Sequence, residues 1–404
     1  MSSLAQPLYV SEPPTPPTAA DPLALAHQLA EQFAANAVER DRAGGHAHHE
    51  RQLLRDSGLL TLSIPTEFGG QGAPWSTVYE VIRILARADS ALAHLFGFHH
   101  LQLAGITLYG SAVQQRDLYT ASVEQRLFWG NALNPLDRRT KARATPGGYL
   151  LDGVKSFASG SVGSDWLTIS AWDEEAGAAL IAVLPTNAPG VQVEADWDAF
   201  GQRQTDSGNV SFDKVYLPTS LVLQAPGQAP SAQATLRSQV AQLVMTNLYL
   251  GIAEGAFEAA RDYTLEQSRP WFASGVSDAT HDPFIQHRYG EFWLKLRPAA
   301  VLANHAGQLL DAAFAKGAAL SARERGEVAV AGAEAKVLAH RAAIEIGNEM
   351  FELTGARSTS GRFGFDRYWR NARVHTLHDP IDYKLRDLGR YALEGRLPDP
   401  TPYS

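Results

Sequence analysis

The sequence predicts an α+β protein in which helices, a β domain and a second group of helices follow one another along the chain. Apolar residues recur at helical spacing up to about residue 124, and again in long stretches after about residue 232. Short strands and tight turns occupy the region between them. Segregated elements are typical of α+β proteins and not of a Rossmann fold, and 404 residues are too many for a single core.

The N-terminal part begins with a proline-rich arm, residues 1–20, which we expect to be disordered because it lacks apolar periodicity. We expect a helical domain over residues 21–124. Asp21 is a suitable N-cap, and Pro22 suits the first helical position. The Gly44-Gly45 pair should end this helical stretch, and "IPTEFGGQGAPW" should be a loop.

The middle part, residues 125–226, should form a β domain of six to eight strands. "KARATPGGYLLDGVKSF" reads as a hairpin with Pro146-Gly147-Gly148 at its tip. "DWLTISAW" and "ALIAVLP" flank a short polar turn and predict a second hairpin.

The C-terminal part, residues 231–396, should be a helical bundle followed by a tail over residues 397–404. Helices are expected at about 232–268, 283–316, 320–355 and 380–393, and Ser321 is a good cap for the third.

Composition excludes several classes of chemistry. The chain has no cysteine, so disulfides, thiolate-bound metals and thiol nucleophiles are ruled out. A net charge of −8 argues against nucleic acid as the main partner. No stretch has the length of a membrane span and no secretory signal is evident, so a cytoplasmic location is expected. The histidines of "HAHHE" look like a solvated loop, and no metal site is expected.

Four segments are rich in residues that could carry chemistry. In "HLFGFHHLQ", His94 and Phe98 are one helical turn apart and share a face, whereas His99 and His100 point elsewhere and could be core histidines. In "FWGNALNP", Asn131 could bind a polar ligand edge or serve a turn. Ser159 in "KSFASG" and Trp197 in "ADWDAF" could face a flat heterocycle, although a serine-rich turn is an equal alternative.

The fourth segment is C-terminal and dense in arginine. Such arginines suggest phosphate or carboxylate capture, and intersubunit salt bridges are the alternative. The residues are Arg357, Arg362, Arg367, Arg370 and Arg373.

Taken together, these segments resemble the acyl-CoA dehydrogenase superfamily over about residues 21–395. "IPTEFGGQG", "YLLDGVKSFASGS" and "TDSGNVSFDKVYLP" are similar to that family's motifs. The resemblance implies an N-terminal helical domain, a central β-barrel and a C-terminal four-helix bundle.

One position separates two chemistries within the superfamily. In "VHTLHDP", His378 stands where the dehydrogenases commonly carry a catalytic glutamate, and Asp379 is offset by one residue. The chain is more similar to the reduced-flavin-dependent monooxygenases of sulfur compounds, the group that acts on dibenzothiophene and methanesulfinate. Histidine suits this chemistry because it can exchange a proton near pH 7.

This second resemblance implies roles for particular residues. His378, His94, Asn131 and Ser159 would be catalytic. Asn131, Ser159, Phe157, Trp197, Arg269 and Arg357 would bind the flavin, with the two arginines at its phosphate across a subunit interface. His94, Phe98, Trp197 and His378 would line the substrate pocket, and the aromatic side chains would exclude water.

The implied function is a two-component monooxygenase that uses O₂ and FMN supplied as FMNH₂ by a separate NAD(P)H-dependent reductase. A homotetramer is also implied. The expected reaction is the oxidation of an alkanesulfinate such as methanesulfinate to the sulfonate. A sulfide or sulfone substrate of the dibenzothiophene type is the next alternative. A flavoprotein dehydrogenase using Asp379 and a catalytically silent scaffold of the same fold are further alternatives.

Overall fold

A computed structural model describes residues 21–404, so the predicted arm over residues 1–20 lies outside the described residues. The N-terminal helices are α1 Pro22–Ala34, α2 Ala37–Ala43, α3 His48–Asp56, α4 Trp75–Ala88, α5 Ser90–Tyr109 and α6 Ala112–Glu124. The predicted cap is confirmed, because the Asp21 carboxylate accepts a hydrogen bond from the Leu23 main-chain N–H at 3.1 Å.

Helix α5 lies at the centre of the molecule and is buried on nearly every side. It packs against α4, against the first long C-terminal helix and against the first strand. At Gly97 a Cβ atom would come within 2.7 Å of Val244 Cγ1, so glycine is needed where these helices approach one another. Helix α5 therefore brings His94 and Phe98 to the junction of all three parts of the chain.

The middle part is a single mixed sheet of eight strands. They are β1 Trp129–Ala132, β2 Lys141–Thr145, β3 Gly148–Lys155, β4 Trp166–Asp173, β5 Ala178–Pro185, β6 Val191–Val193, β7 Val210–Pro218 and β8 Val222–Gln224. Both predicted hairpins are confirmed, β2 with β3 and β4 with β5, each antiparallel.

The predicted β-barrel is wrong, because the sheet is open. Its order is β6-β7-β3-β2-β4-β5-β8, with β1 pairing in parallel with β4. A barrel closes only when its first and last strands pair. The edge strands β6 and β8 have three residues each, and within residues 21–404 they do not pair with one another.

The C-terminal helices are α7 Leu236–Glu266, α8 Pro283–Lys316, α9 Ala322–Thr354, α10 Asp366–Thr376 and α11 Ile381–Glu394. Helices α7, α8 and α9 pack on one another, and α11 packs on α9. Ser321 and Glu324 form a capping box at the start of α9, as expected for a cap at Ser321. None of the helices in residues 21–404 combines the length and apolarity needed to cross a membrane.

The last residues fold back onto the bundle. The main-chain oxygen of Ser404 accepts hydrogen bonds from Arg325 and from the Ser238 hydroxyl, and Lys384 donates to the main-chain oxygen of Tyr403. The last residues thus lie beside His378, which follows α10, with the rings of Tyr403 and His378 5.6 Å apart.

Candidate functional site

His94 on α5 is buried at the junction of the three parts of the chain. Its imidazole stacks on Phe98, with 4.0 Å between ring centroids and 24° between planes, which confirms that the two share a face. Within residues 21–404 neither ring nitrogen has a partner, although the side chain is almost fully enclosed. Burial, with smaller effects from His375 and His378, lowers the pKa of His94 well below 6.5, so the ring is neutral at pH 7.

His375, on α10, faces His94 and was not identified from the sequence. The two ring centroids are 4.7 Å apart. The Tyr249 hydroxyl donates to the main-chain oxygen of His375 at 2.9 Å, while His375 Nε2 has no partner within the described residues. Burial lowers the pKa of His375 to about 3. His94 and His375 thus present three buried ring nitrogens without hydrogen-bond partners.

His378, which the sequence favoured, lies two residues beyond α10 and is exposed. Its Nδ1 is 3.0 Å from Asp379 Oδ1, and its ring is 5.6 Å from that of Tyr403. After burial, proximity to His378 contributes to the lowered pKa of both His94 and His375, and these three imidazoles are called the histidine cluster.

His378 lies on the wall of a half-open cavity of about 470 Å³ between α11 and the C-terminal segment. The lining does not include His94, His375 or Trp197. The lining side chains are largely charged or aromatic. They include His378, Asp379, Tyr383, Lys384, Arg386, Arg390 and Tyr403.

Asn131 and Ser159 meet at one end of the sheet, as expected if both face the same ligand. The Asn131 main-chain N–H donates to the Ser159 carbonyl at 2.9 Å. The Ser159 hydroxyl lies 2.8 Å from that of Ser207, which is 2.7 Å from the Thr205 hydroxyl. These four residues form the polar edge.

Gln202 connects the polar edge to the histidine cluster. Its main-chain N–H donates to Asn371 Oδ1 at 2.7 Å, and its side-chain amide donates to the Ser90 hydroxyl at 3.0 Å. Ser90 and Asn371 each precede a cluster histidine by four residues, one helical turn. The loop approaches α10 so closely that a Cβ atom at Gly201 would lie 2.3 Å from the Arg370 carbonyl oxygen. The polar edge and the histidine cluster therefore belong to one site.

The two aromatic residues expected at the flavin differ in burial. Trp197 is half-buried, and its indole N–H donates to the Gln202 carbonyl at 2.9 Å. Phe157 has a φ of +56°, lies edge-on to Trp197 with ring centroids 6.1 Å apart, and is 71% exposed. The ring of Phe157 therefore lies on the surface of the single chain, and its expected role in excluding water stays a prediction.

Arg269 and Arg357 lie at another end of the bundle. Both are exposed, and Arg357 donates to the Gln267 carbonyl at 2.9 Å, which brings it next to the segment that carries Arg269. Two of the other C-terminal arginines make contacts within the chain, and intersubunit bridges by any of the five stay a prediction. Arg370 pairs with Asp41 and Asp366, and Arg367 donates to the Gly364 carbonyl at 3.0 Å.

The other histidines that the sequence singled out lie outside the histidine cluster. His99 lies 2.8 Å from the Leu60 carbonyl and accepts from the Trp129 main-chain N–H, so it is a core histidine, as is His100, 3.1 Å from the Leu59 carbonyl. The loop containing His46 was expected to be solvated. His48 and His49 are exposed, but His46 is partly buried with its Nδ1 2.6 Å from Asp206.

Comparison with known proteins assigns the class. Three family models match consecutive parts of the chain: acyl-CoA dehydrogenase, N-terminal domain, at residues 23–124; middle domain, at 130–215; and C-terminal domain, at 243–383. The chain belongs to the acyl-CoA dehydrogenase superfamily.

Particular relatives in this superfamily are named as monooxygenases. The probable FMNH2-dependent monooxygenase SfnC of Pseudomonas putida is 49% identical, over 96% of this chain and 98% of its own. The structure of methanesulfinate monooxygenase MsuC from Pseudomonas fluorescens has a TM-score of 0.93 at 50% identity, covering 95% of this chain and 100% of its own. TdsC from Paenibacillus sp. A11-2, a dibenzothiophene monooxygenase, has been solved with FMN and indole. That complex has a TM-score of 0.92 at 41% identity and covers 95% and 100% of the two chains.

Proposed function

We propose that this protein is a two-component monooxygenase that receives FMNH₂ and uses O₂ to oxygenate a small organosulfur compound. The observation that carries the proposal is the pair of buried neutral imidazoles, His94 and His375, with three ring nitrogens that have no partner within residues 21–404. Buried polar groups in native proteins are nearly always satisfied, so these nitrogens require partners beyond the described side chains, which a polar ligand or ordered water would supply. The similarity to SfnC, MsuC and TdsC supports a flavin-dependent reaction beside them.

The residues of the site fit a flavin ring. The hydroxyls of the polar edge and the Asn131 amide offer donors and acceptors to a flat heterocycle, and Gln202 Oε1 is a further buried acceptor without a partner in the described residues. Trp197 offers an aromatic wall. When bound, reduced FMN supplies the electrons that activate O₂. Arg269 and Arg357 are exposed, so they are available to a flavin phosphate held by a neighbouring subunit.

The side chains of the chain itself then have distinct tasks. Phe98 and the buried rings of His94 and His375 keep water away from the reacting atoms. Exclusion of water is needed because, in a hydrated site, reduced flavin and O₂ yield hydrogen peroxide instead of oxygenated product. A neutral imidazole can donate through one nitrogen and accept through the other. His378, on the cavity wall, is placed to move a proton between the site and solvent.

The preferred substrate is an alkanesulfinate such as methanesulfinate, oxidised to the sulfonate. Arg390 on the cavity wall can attract such an anion, whereas Arg386 is paired with Asp387 and Lys384 donates to the Tyr403 main-chain oxygen. A dibenzothiophene-type sulfide or sulfone is the second candidate, because the dibenzothiophene monooxygenase TdsC is 41% identical to this chain.

A dehydrogenase that uses Asp379 as its base has less support. Burial alone would raise the pKa of Asp379, but the hydrogen bond from His378 and the Lys336 charge hold it well below its usual range. Such a carboxylate is a weak base at pH 7. A silent scaffold does not explain the unpartnered nitrogens of the histidine cluster.

The proposal includes an NAD(P)H-dependent flavin reductase as partner, a cytoplasmic location and a homotetramer. Exposed apolar residues on α8 support self-association, since Leu294 and Val301, seven residues apart and therefore on one face, are 67% and 57% exposed.

The substrate is tested with purified protein, FMN, NADH and a flavin reductase. Methanesulfinate, longer alkanesulfinates, dibenzothiophene and its sulfone are offered at equal concentration, and products are quantified by mass spectrometry. We expect kcat/KM to be highest for a sulfinate. A higher value for dibenzothiophene would select the second candidate, and reduction of an electron acceptor by an acyl-CoA would select the dehydrogenase.

A further inference from the structure

A lysine lies in the core of the bundle and contacts the carboxylate next to His378. Lys336, on α9, has a side chain that is 1% exposed. Its ammonium group donates to Gln242 Oε1 at 2.7 Å and to Asp379 Oδ1 at 2.5 Å. Burial lowers the pKa of Lys336, and the Asp379 carboxylate opposes that effect.

Asp379 joins this buried cation to an exposed imidazole. The Oδ1 atom that accepts from Lys336 is also 3.0 Å from His378 Nδ1. Within residues 21–404 only these two side chains hydrogen-bond the carboxylate. The Asp379 side chain is 8% exposed and that of His378 is 42% exposed, so the contacts run from the core to the cavity wall.

The surroundings of this chain of contacts are rich in ionisable groups. They come from every element packed against it: His94 on α5, Tyr249 on α7, His340 on α9, His375 on α10, Lys384 on α11 and Tyr403 near the C-terminus. None of them makes a hydrogen bond to Asp379. Lys336 is the cation that contacts the carboxylate directly.

Stability alone does not account for this arrangement. A buried ion pair costs so much desolvation that well-packed apolar residues are often as stable or more stable. A carboxylate that accepts from one nitrogen of an imidazole, however, determines which nitrogen carries the proton and how the ring is turned. A buried cation keeps that carboxylate ionised.

We propose that Asp379 and Lys336 are positioning residues that hold His378 with its proton on Nδ1 and its Nε2 free toward the cavity. The functional meaning rests on the proposed role of His378 in the monooxygenase reaction. The tautomer of His378 can be measured in the protein without flavin, so this part of the proposal does not depend on the reaction.

The test uses nitrogen-15 NMR of histidine-labelled full-length protein without flavin at pH 9, where an ordinary imidazole is neutral. A His378→Gln spectrum identifies the His378 signals. The variant to compare is Lys336→Met/Asp379→Leu, which replaces the ion pair with apolar side chains. Lys316→Met, at an exposed ion pair with Glu324, is the matched control.

We expect wild-type and Lys316→Met proteins to show His378 protonated at Nδ1, and the double variant to show a mixture of the two tautomers. With FMNH₂, O₂ and the best sulfur substrate, product per FMNH₂ in the double variant should fall about 10- to 100-fold while the unfolding midpoint stays level or rises.

Wild-type His378 protonated at Nε2 would overturn the proposal whether or not any variant folds. An unchanged tautomer in the folded double variant would also overturn it. If the tautomer responds as expected but no sulfur compound is oxygenated, the positioning role stands and the proposed function fails. If sulfur compounds are oxygenated but the tautomer does not respond, the proposed function stands and the positioning role fails.

Discussion

His94 and His375 place their imidazole rings 4.7 Å apart, although one belongs to the central N-terminal helix and the other to a short helix near the C-terminus. Neither histidine is protonated at pH 7, and their three unpartnered nitrogens face no hydrogen-bonding group in residues 21–404. Since the loop around Gln202 holds both helices one turn before these residues, the pair is built into the junction of the domains.

Removing the His94 nitrogens should uncouple flavin oxidation from product formation. His94→Phe keeps a ring on Phe98 but cannot donate or accept a hydrogen bond. We expect product per FMNH₂ to fall by about 10²- to 10⁴-fold and hydrogen peroxide release to rise. Product and peroxide are measured together, with the exposed His48→Phe as control. If the ratio of product to hydrogen peroxide in His94→Phe equals that of wild type, His94 has no role in the reaction.

Acid should destabilise the protein partly through His375. An unfolded chain takes up a proton at this residue as the pH falls through 6.5, whereas the folded protein does not until about pH 3. The free energy of unfolding therefore decreases as the pH is lowered from about 6.5 to about 3. For this residue the decrease is up to about 1.4 kcal/mol per pH unit.

His375→Phe should lessen that slope, which urea unfolding between pH 7 and pH 5 measures. His48→Phe, at an exposed position, is again the control and should keep the wild-type slope. An identical slope in His375→Phe and wild type would show that His375 is not buried in its neutral form.

Gly201→Ala should loosen the loop that joins the two halves of the site. The new Cβ would overlap the Arg370 carbonyl, so the loop must move away from α10. We expect FMN to bind about tenfold more weakly, a loss of about 1.4 kcal/mol. Fluorescence titration of FMN checks this, with Gly389→Ala as control, because a Cβ there meets nothing within 4 Å. Wild-type affinity in Gly201→Ala would mean that the loop does not hold the flavin.

Leu294→Glu should break the proposed assembly. Leu294 is 67% exposed on the apolar face of α8, and a charge buried there would be unpaired. Sedimentation velocity should show a smaller species than for wild type. Leu393→Glu, at a leucine 86% exposed on α11, should leave assembly unchanged. An unaltered sedimentation coefficient in Leu294→Glu would place the interface elsewhere.

Local signals in the sequence predict much of the fold. Helix α8 runs over Pro283–Lys316, as its apolar spacing and flanking residues indicate, and the caps at Asp21 and Ser321 are where short-range chemistry puts them. Closure of the sheet could not be predicted this way, because it depends on whether β6 and β8, distant in sequence, pair with one another.

The site was only partly predictable for a similar reason. Alignment with the family motif points to His378. Whether His375 or His378 is buried, however, depends on where α10 ends, and it ends at Thr376, between the two residues. The four-residue spacing of Asn371 and His375 was the available signal, and it has meaning only once that helix is known. The surface position of Phe157 likewise depends on its positive φ, which its residue type does not suggest.

The central claim is that O₂ is used to oxygenate a sulfur compound in a site built around His94 and His375. The direct measurement is mass spectrometry of the product formed from methanesulfinate under ¹⁸O₂, with FMN, NADH and a flavin reductase present. We expect one ¹⁸O atom per molecule of sulfonate with wild-type protein and little labelled product with His94→Phe. If neither methanesulfinate nor any other sulfur compound in the panel gains ¹⁸O with wild-type protein, the protein is not a sulfur monooxygenase.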